Sequence, residues 1–434
     1  MLRLKGEELY RAYRDYCAVA WDLDMTRGKP SREQLDMVTD LGLGQELGAA
    51  DYRDALGQDL RNYGQLTGIA PLKEIFAQLL CCQPAEVICL NNSSLSILYD
   101  FLQRALLFPL PGATVPWREL RPKALCPVPG YDRHFQMAEY LGFELIPIPQ
   151  DGEGPVLEQL STWAQDPSVK VLFTVPRYGN PSGVTMTAKR LAAILDLPWA
   201  PDFRLIWDNA YAVHSLYWPE GAGLHQDLPN LPVLDQARLR CREDAIVALA
   251  STSKMTYAGS GVAAVALSRA NRDWLLEGLS RRSIGPNTCW QLSQARFLER
   301  VGIEPLMRRH ADLLRPKFAL VLEALEEAFG NEADIHWSRP AGGYFISLYL
   351  PPGRASLVWR LAARAGLRLT PAGAAFPYGS DPEDSHLRLA PSYLSLEELR
   401  PATEILILSI SLALEGELPA DLTTDLREAR LSNP

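Results

Sequence analysis

The sequence predicts an α/β fold: a large domain on a mostly parallel sheet, with a smaller α+β domain beside it. Three observations predict it. Short β-branched runs alternate with helical patterns through the middle of the chain, chemistry-bearing residues fall just past the ends of those runs, and the pattern changes after about residue 310. Val87–Leu90, Val169–Val175, Phe203–Asp208, Ile246–Ala250 and Val262–Leu267 are short apolar runs that read as buried strands. Between them, Leu72–Leu80, Leu95–Leu107 and Ala188–Leu195 repeat apolar residues at helical spacing. A parallel sheet gathers its ligand groups at the carboxyl ends of its strands. Asp208 closes one such strand, and Lys254 lies just past another.

The C-terminal part reads differently. A helical segment from about Leu313 to Phe329 leads into Ile335-His-Trp and a strand pattern over Gly342–Leu350. A helix near Ser356–Ala365, the strand His386–Leu389 and a last helix from about Leu396 follow. The expected division is residues 51–310 for the large domain, with 1–50 and 311–434 forming the small one. The tail after Glu415 is polar and contains proline, so its end is expected to fray. No internal repeat, heptad or low-complexity segment interrupts this pattern.

Composition narrows the function classes. With 434 residues the chain can bury a large core, and 47% apolar with 22% charged residues is ordinary for a globular protein. The net charge of −9, with no concentrated block of basic residues, argues against nucleic acid or an anionic membrane as partner. The N-terminus is a charged helical pattern, and the longest apolar stretch, Ile405–Leu414, is too short to span a bilayer. The seven cysteines show no metal-ligand spacing and suit a reducing compartment, and Cys81-Cys82 lies in an apolar helical run. A cytoplasmic protein without a metal site is expected.

The informative residues come in an ordered trio: Asn180-Pro-Ser-Gly183, Asp208-Asn-Ala-Tyr211 and Ser251-Thr-Ser-Lys254. Lysine is scarce, eight against thirty-five arginines, so a lysine in a serine-rich loop after a strand is conspicuous. A lysine amine can form a Schiff base with an aldehyde, an aspartate can keep a pyridine nitrogen protonated, and an Asn/Tyr pair can hydrogen-bond a phenolate oxygen. Asn92-Ser93-Ser94 follows the strand Val87–Leu90 and opens a helix, where backbone amides and the helix dipole favour an anion. The same serines are equally good N-cap residues. Asn-Pro commonly starts turns, and a strand-end aspartate can cap a following helix, so each residue alone has a plain structural reading.

Together these motifs resemble the class I aminotransferases among the fold-type I pyridoxal phosphate enzymes, over nearly the whole chain from Thr26-Arg-Gly-Lys-Pro30 to Arg388. The segments LDMTRGKPSREQLD, NNSSLSILYD, PGYDRHF and STSKMTYAGSGVA look closest to the aspartate aminotransferase subgroup sometimes labelled MocR-like. The resemblance implies a seven-stranded, mostly parallel sheet in the large domain, pyridoxal 5′-phosphate as cofactor, an amino acid and a 2-oxo acid as substrates, and aspartate with 2-oxoglutarate as the expected pair. It implies catalytic roles for Lys254, Asp208 and Tyr211: Lys254 for the Schiff base, Asp208 for the pyridine nitrogen, and Tyr211 with Asn180 for the ring oxygen. Asn92, Ser93, Ser94, Ser251 and Ser253 would hold the phosphate and Tyr131 would stack on the ring. Gly28, Asn180 and Arg388 would meet the substrate, Arg388 gripping its α-carboxylate through two parallel hydrogen bonds. Tyr63, in Asn62-Tyr-Gly-x-x-x-Gly68, resembles the tyrosine that reaches the phosphate from a neighbouring subunit, which implies a homodimer with shared sites.

One departure stands out. The family usually places a phosphate-clamping arginine eight residues after the lysine, where this chain has Val262. Arg27 and Arg133 are candidate substitutes. For a side-chain carboxylate, Arg27, Lys29, Arg133, Arg281 and Arg282 are open candidates, with Asn287 and Gln291 as polar contacts. The segment from Tyr211 to Lys254, with His214 and His225, could form a lid or an interface. The same core residues would serve an aromatic, alanine or kynurenine aminotransferase, or a carbon–sulfur lyase. A transcription regulator with an aminotransferase-like domain would need a basic DNA-binding module, and the family pattern already begins at Thr26. A nicotinamide dehydrogenase would need a glycine-rich strand–helix turn that the sequence does not contain.

Overall fold

The computed structural model describes residues 3–26, 28–45, 52–53, 57–218 and 231–415. The chain opens with α1 (Gly6–Ala18), β1 (Leu23–Met25) and α2 (Arg32–Asp40). The sheet-forming region runs through α3 (Ala70–Leu80), β2 (Val87–Cys89), α4 (Ser94–Leu107), β3 (Lys123–Val128), α5 (Asp132–Tyr140), β4 (Glu144–Asp151), β5 (Gly154–Pro155), α6 (Leu157–Trp163) and β6 (Val169–Thr174). It continues with α7 (Ala188–Leu195), β7 (Arg204–Asp208), α8 (Val233–Arg238), β8 (Ile246–Ser251), β9 (Ala263–Ala266), α9 (Arg269–Arg282) and α10 (Thr288–Val301). The long α11 (Ile303–Phe329) then leads to β10 (His336–Trp337), β11 (Ile346–Tyr349), α12 (Ala355–Arg364), β12 (Leu367–Leu369), β13 (His386–Leu389) and α13 (Leu396–Leu414).

The large sheet has the order β2-β9-β8-β7-β6-β3-β4-β5, seven full strands with the two-residue β5 added at one edge. The run β8-β7-β6-β3-β4 is parallel, whereas β9 is antiparallel to both β8 and β2. Strand periodicity puts alternate side chains into two cores. Leu205, Trp207, Ile246, Ala248 and Ala250 face one core, while Ile206, Val247 and Leu249 face the other. Helices cover both faces, so the central strands are buried on both sides and read as continuous apolar runs. Each fully buried Leu or Ile contributes roughly 1.5–3 kcal/mol relative to exposure.

A third core joins α1, β1, the later turns of α11, α12, α13 and the strands β11 and β13. There β10-β11-β13 form an antiparallel sheet, and β1 pairs in parallel with β12. The residues of α2 and its C-terminal turn split from those of α1: Val38 and Leu43 pack into the large core.

Several elements differ from the expected pattern. Lys123–Val128 and Glu144–Asp151 are strands that no apolar run announced, because they carry Lys123, Glu144, Pro127, Pro147 and Pro149. Proline is tolerated in β4 because its outer neighbour is only the two-residue β5. The helix expected from Leu313 begins ten residues earlier, at Ile303, and carries Pro316 inside it. The strand expected over Gly342–Leu350 is confined to Ile346–Tyr349. Gly343 sits at φ +78°, and a Cβ on Gly342 would lie 2.4 Å from the His214 carbonyl oxygen, so this stretch is a close-packed loop. All seven cysteines are free. Among the described residues, no helix is long and apolar enough to cross a membrane. The tail after Glu415 and His225 lie outside the described residues.

The parallel strands end on one edge, and that edge positions the site. Tyr131 lies three residues past β3, Asn180 six past β6, Asp208 ends β7 and Lys254 lies three past β8.

Candidate active site

The Lys254 loop is a tight turn braced by its own threonine. The Met255 and Thr256 N–H groups donate to the Thr252 carbonyl at 2.9 and 2.8 Å, and the Val262 N–H donates to Thr252 Oγ1 at 2.9 Å. A Cβ on Gly261 would lie 2.6 Å from Ser253 Oγ, so only glycine lets the returning strand pass this closely. Lys254 Nζ stands 5.0 Å from the centroid of the Tyr211 ring. The lysine stem keeps some access to the cleft, while the ammonium end is enclosed by protein. Loss of hydration lowers the ammonium pKa below the ordinary lysine value, with the Asp208 charge opposing the shift.

Asp208 is buried at 2% exposure. Its Oδ2 lies 3.0 Å from His134 Nε2, which carries the hydrogen that this bond requires, and Oδ1 is buried without a hydrogen-bond partner. His134 lies between two aromatic rings, stacked on Phe173 at 5.0 Å and edge-on to Tyr131 at 4.8 Å. The sequence reading did not single out His134. The available signal was its spacing, three residues beyond Tyr131 at the start of a helix, which brings the two side chains together.

Tyr211 follows Asp208 by three residues and is also buried. Burial raises its hydroxyl pKa well above the ordinary value, with Tyr131 and Tyr344 adding to the effect. Tyr131 is shifted upward in the same way by burial and then by Asp208.

Arg388 enters from β13, buried, and meets residues of α5, the loop after β6 and the end of β12. Its Nη1 donates to Asp132 Oδ1 at 2.6 Å and to Asn180 Oδ1 at 3.3 Å, and Nη2 donates to Thr370 Oγ1 at 3.2 Å. The guanidinium lies 5.0 Å over the Phe345 ring. That ring also packs against Gly28, where a Cβ would approach Phe345 to 2.6 Å. The structure thus brings Gly28, Tyr131, Asn180, Asp208, Tyr211, Lys254 and Arg388 to one cleft.

The serine end is built from lighter groups. Ser93 is the N-cap of α4, its Oγ accepting the Ser96 N–H at 3.4 Å, and Ser94 is the first helical residue. Asn92 is exposed and donates to the Gly259 carbonyl at 3.0 Å, while Ser253 Oγ donates to the Asn92 carbonyl at 3.0 Å. These two bonds join the Asn92–Ser94 loop to the lysine loop, next to Ser251 at the end of β8. Val262 turns its side chain into the core.

The remaining candidates have partners or surroundings of their own. Gln291 is saturated by backbone, accepting from the Ile69 N–H and donating to the Cys89 and Leu90 carbonyls. Asn287 caps α10 and accepts the Trp290 N–H, Arg133 is exposed with Gln136 at 3.3 Å, and Arg282 pairs with Asp100 at 2.7 Å. Arg281 is exposed. Lys29 lies 4.8 Å over the Tyr393 ring and 3.5 Å from Asp24. Arg27 lies outside the described residues. His214 is buried behind the lysine, and burial lowers its pKa to about 3. Tyr63 is 80% exposed on a rim that also carries Ile284 and Asn287, apart from the cluster around Asp208.

Comparison with known proteins points to one family. The family model for aspartate aminotransferase matches residues 5–420. An aspartate aminotransferase of Corynebacterium glutamicum is 41% identical over 404 residues, covering 92% of this chain and 91% of the relative. The crystal structure of an aspartate transaminase from Corynebacterium glutamicum superposes with a TM-score of 0.88 at 38% identity, covering 94% and 95% of the two chains. An α-aminoadipate aminotransferase of Thermus thermophilus, complexed with N-(5′-phosphopyridoxyl)-L-leucine, shares the fold at a TM-score of 0.72 and 20% identity, covering 95% and 96%.

Proposed function

The chain belongs to the aspartate aminotransferase family, and we propose that it moves the amino group of aspartate to 2-oxoglutarate with pyridoxal 5′-phosphate as cofactor. One observation carries the reading: a buried carboxylate with one oxygen paired and the other unpartnered shares a cleft with a desolvated lysine amine. An unpartnered carboxylate oxygen in a buried site is costly unless a donor reaches it. A protonated pyridine nitrogen is such a donor, and an aldehyde suits the lysine, so the residues fit the cofactor.

When bound, the cofactor supplies an electron sink for the pair left by the Cα–H bond. Lys254 would hold the aldehyde carbon through its amine. Once an incoming amino acid frees it, that amine would carry the proton taken from the substrate's Cα. Lowering of its pKa by burial makes the neutral amine accessible nearer to neutral pH. Asp208, oriented by His134, would keep the ring nitrogen protonated. Asn180 uses its Oδ1 on Arg388, and its amide N–H group, with the Tyr211 hydroxyl, would donate to the ring's 3-oxygen. Tyr131 would cover one ring face. The hydroxyls of Ser93, Ser94, Ser251 and Ser253, with the amides opening α4 near Asn92, would take the phosphate. Arg388 would grip the substrate α-carboxylate close to Gly28, orienting the Cα–H bond for loss.

We place the chain in the MocR-like subgroup on the wording of its motifs, and in the cytoplasm on its composition. We also propose a homodimer, with the exposed Tyr63 reaching the phosphate of the neighbouring site and the domain boundaries falling near residues 50 and 310. The decisive experiment adds pyridoxal phosphate to the purified protein, records its absorbance and then adds aspartate. A yellow protein that bleaches on aspartate and recovers on 2-oxoglutarate is expected. Failure to bind the cofactor removes the reading. Clearly faster single turnover with alanine, phenylalanine or kynurenine removes the aspartate assignment alone.

A further inference from the structure

The carbonyls of Lys254 and Met255 both end in one buried polar chain. Tyr344 donates its hydroxyl to the Lys254 carbonyl at 3.2 Å, and His310 Nε2 lies 3.0 Å from the Met255 carbonyl. These two side chains meet at Gln34, whose Nε2 lies 2.6 Å from His310 Nδ1 and 3.3 Å from the Tyr344 oxygen. The Gln34 amide nitrogen can only donate, so His310 Nδ1 accepts and Nε2 carries the hydrogen given to Met255. Burial keeps this histidine neutral, lowering its pKa to about 4. The remaining Gln34 atom, Oε1, accepts the Ser31 N–H at 3.0 Å, while the Gln34 N–H donates to Ser31 Oγ at 3.4 Å. Ser31, Gln34, His310 and Tyr344 are all at most 1% exposed.

Both hydrogens of the Gln34 amide and its oxygen are therefore partnered, and the capping box at the start of α2 fixes its orientation. A fully satisfied buried network fixes geometry in a way that apolar packing at the same place would not. Its position matters as well. Tyr344 reaches the lysine carbonyl, while its neighbour Phe345 lies beneath the Arg388 guanidinium and against Gly28.

We propose that Gln34 is a positioning residue for Lys254, acting through His310 and Tyr344 to hold two consecutive carbonyls of the lysine turn in register with the Arg388–Phe345 contact. The inference rests on the reading of Lys254 as the cofactor-binding amine. Gln34 touches neither cofactor nor substrate in this scheme. It sets where the lysine amine stands relative to the substrate carboxylate. Displacement of a reacting group by about an ångström costs up to roughly a hundredfold in rate.

The test uses the full-length protein with Gln34→Leu, Tyr344→Phe, His310→Leu and His310→Gln. Two quantities are measured: kcat and KM for aspartate, and the rate at which apo-protein takes up pyridoxal phosphate covalently at Lys254, trapped with borohydride and located by peptide mass. Gln34→Leu and Tyr344→Phe are expected to lower kcat and the uptake rate by roughly tenfold to a hundredfold, with KM within about twofold. His310→Gln keeps one donor and one acceptor and is expected to recover most of what His310→Leu loses. Tyr344→Phe removes a single hydroxyl and covers the case in which Gln34→Leu does not fold. If folded variants keep both rates within about twofold of wild type and lose only thermal stability, the network is structural and the proposal fails. Wild-type protein that loads Lys254 without transaminating overturns the functional reading alone, and the uptake rates still judge this proposal. Wild-type protein that does not load Lys254 overturns both.

Discussion

Around Asp208 the cleft is built from buried, mutually paired side chains, whereas around Ser93 it is built from half-exposed hydroxyls and backbone. Asp208 with His134, and Arg388 with Asp132 and Asn180, use ionisable or amide groups drawn from β7, α5, β13 and the loop after β6. At the other end, Ser253 and Asn92 are tied to main-chain carbonyls, and Val262 occupies the position where the family carries an arginine. The difference suits the roles proposed for the two ends. Holding a ring nitrogen protonated and a carboxylate in place needs oriented charge in a low dielectric, and burying a charge requires a partner. A phosphate can be held by several dispersed donors, none of them individually decisive.

The contrast predicts that substitutions at the buried end cost more. Lys254→Ala is expected to lower kcat by at least the 10²–10⁴-fold typical of a lost proton-transfer group, read by steady-state kinetics on refilled protein. The same residue gives a pH test on apo-protein. Its folded pKa is depressed below the ordinary 10.5, so burial of the charged form opposes folding at neutral pH, and that opposition disappears above the unfolded value. Lys254→Met apo-protein should melt at a higher temperature than wild type near neutrality, with the gap closing as pH rises toward that value. A gap that does not shrink with pH removes the desolvated lysine. His134→Phe comes next. It leaves both Asp208 oxygens unpartnered in the apo-protein, which should cost about 3–5 kcal/mol in chemical denaturation, with cofactor recovering part of the loss. An unchanged midpoint would mean that Asp208 does not depend on His134. Arg388→Lys keeps the charge but loses the planar fork, and kcat/KM for aspartate should fall roughly 10- to 100-fold, mostly through KM.

The same contrast explains what could be read from the chain alone. Lys254 and Asp208 stand at or just past the ends of short apolar strands and Asn180 opens a distinctive turn, so pattern and side-chain type drew attention to them, whereas Arg388, inside β13, was picked out by resemblance to the family. His134 was not singled out because its partner Asp208 is 74 residues away and a lone histidine on a helix carries no signal of its own. Gln34, His310 and Tyr344 were hidden for the same reason, since Gln34 and His310 are separated by 276 residues. The central strands were legible because they are buried on both faces. β3 and β4 were not, because their prolines and charged ends mask the pattern. Gln291 looked like a polar contact for a substrate and instead satisfies backbone groups, and Asn287 spends its side-chain oxygen on the start of α10. Sequence shows that a polar group is present and does not show what already occupies it.

The weakest expected effect sharpens the comparison most. Ser253→Ala removes a hydroxyl that donates to the Asn92 carbonyl and stands beside the expected phosphate position. A single neutral hydrogen bond is worth about 0.5–1.5 kcal/mol, so cofactor affinity should fall only two- to tenfold, with kcat at saturating cofactor nearly unchanged. Equilibrium dialysis of apo-protein against pyridoxal phosphate measures it. A much larger loss would mean that the serine end is concentrated on one residue, as the Asp208 end is, rather than dispersed. In that case Ser253 would be compensating for the side chain that Val262 does not supply.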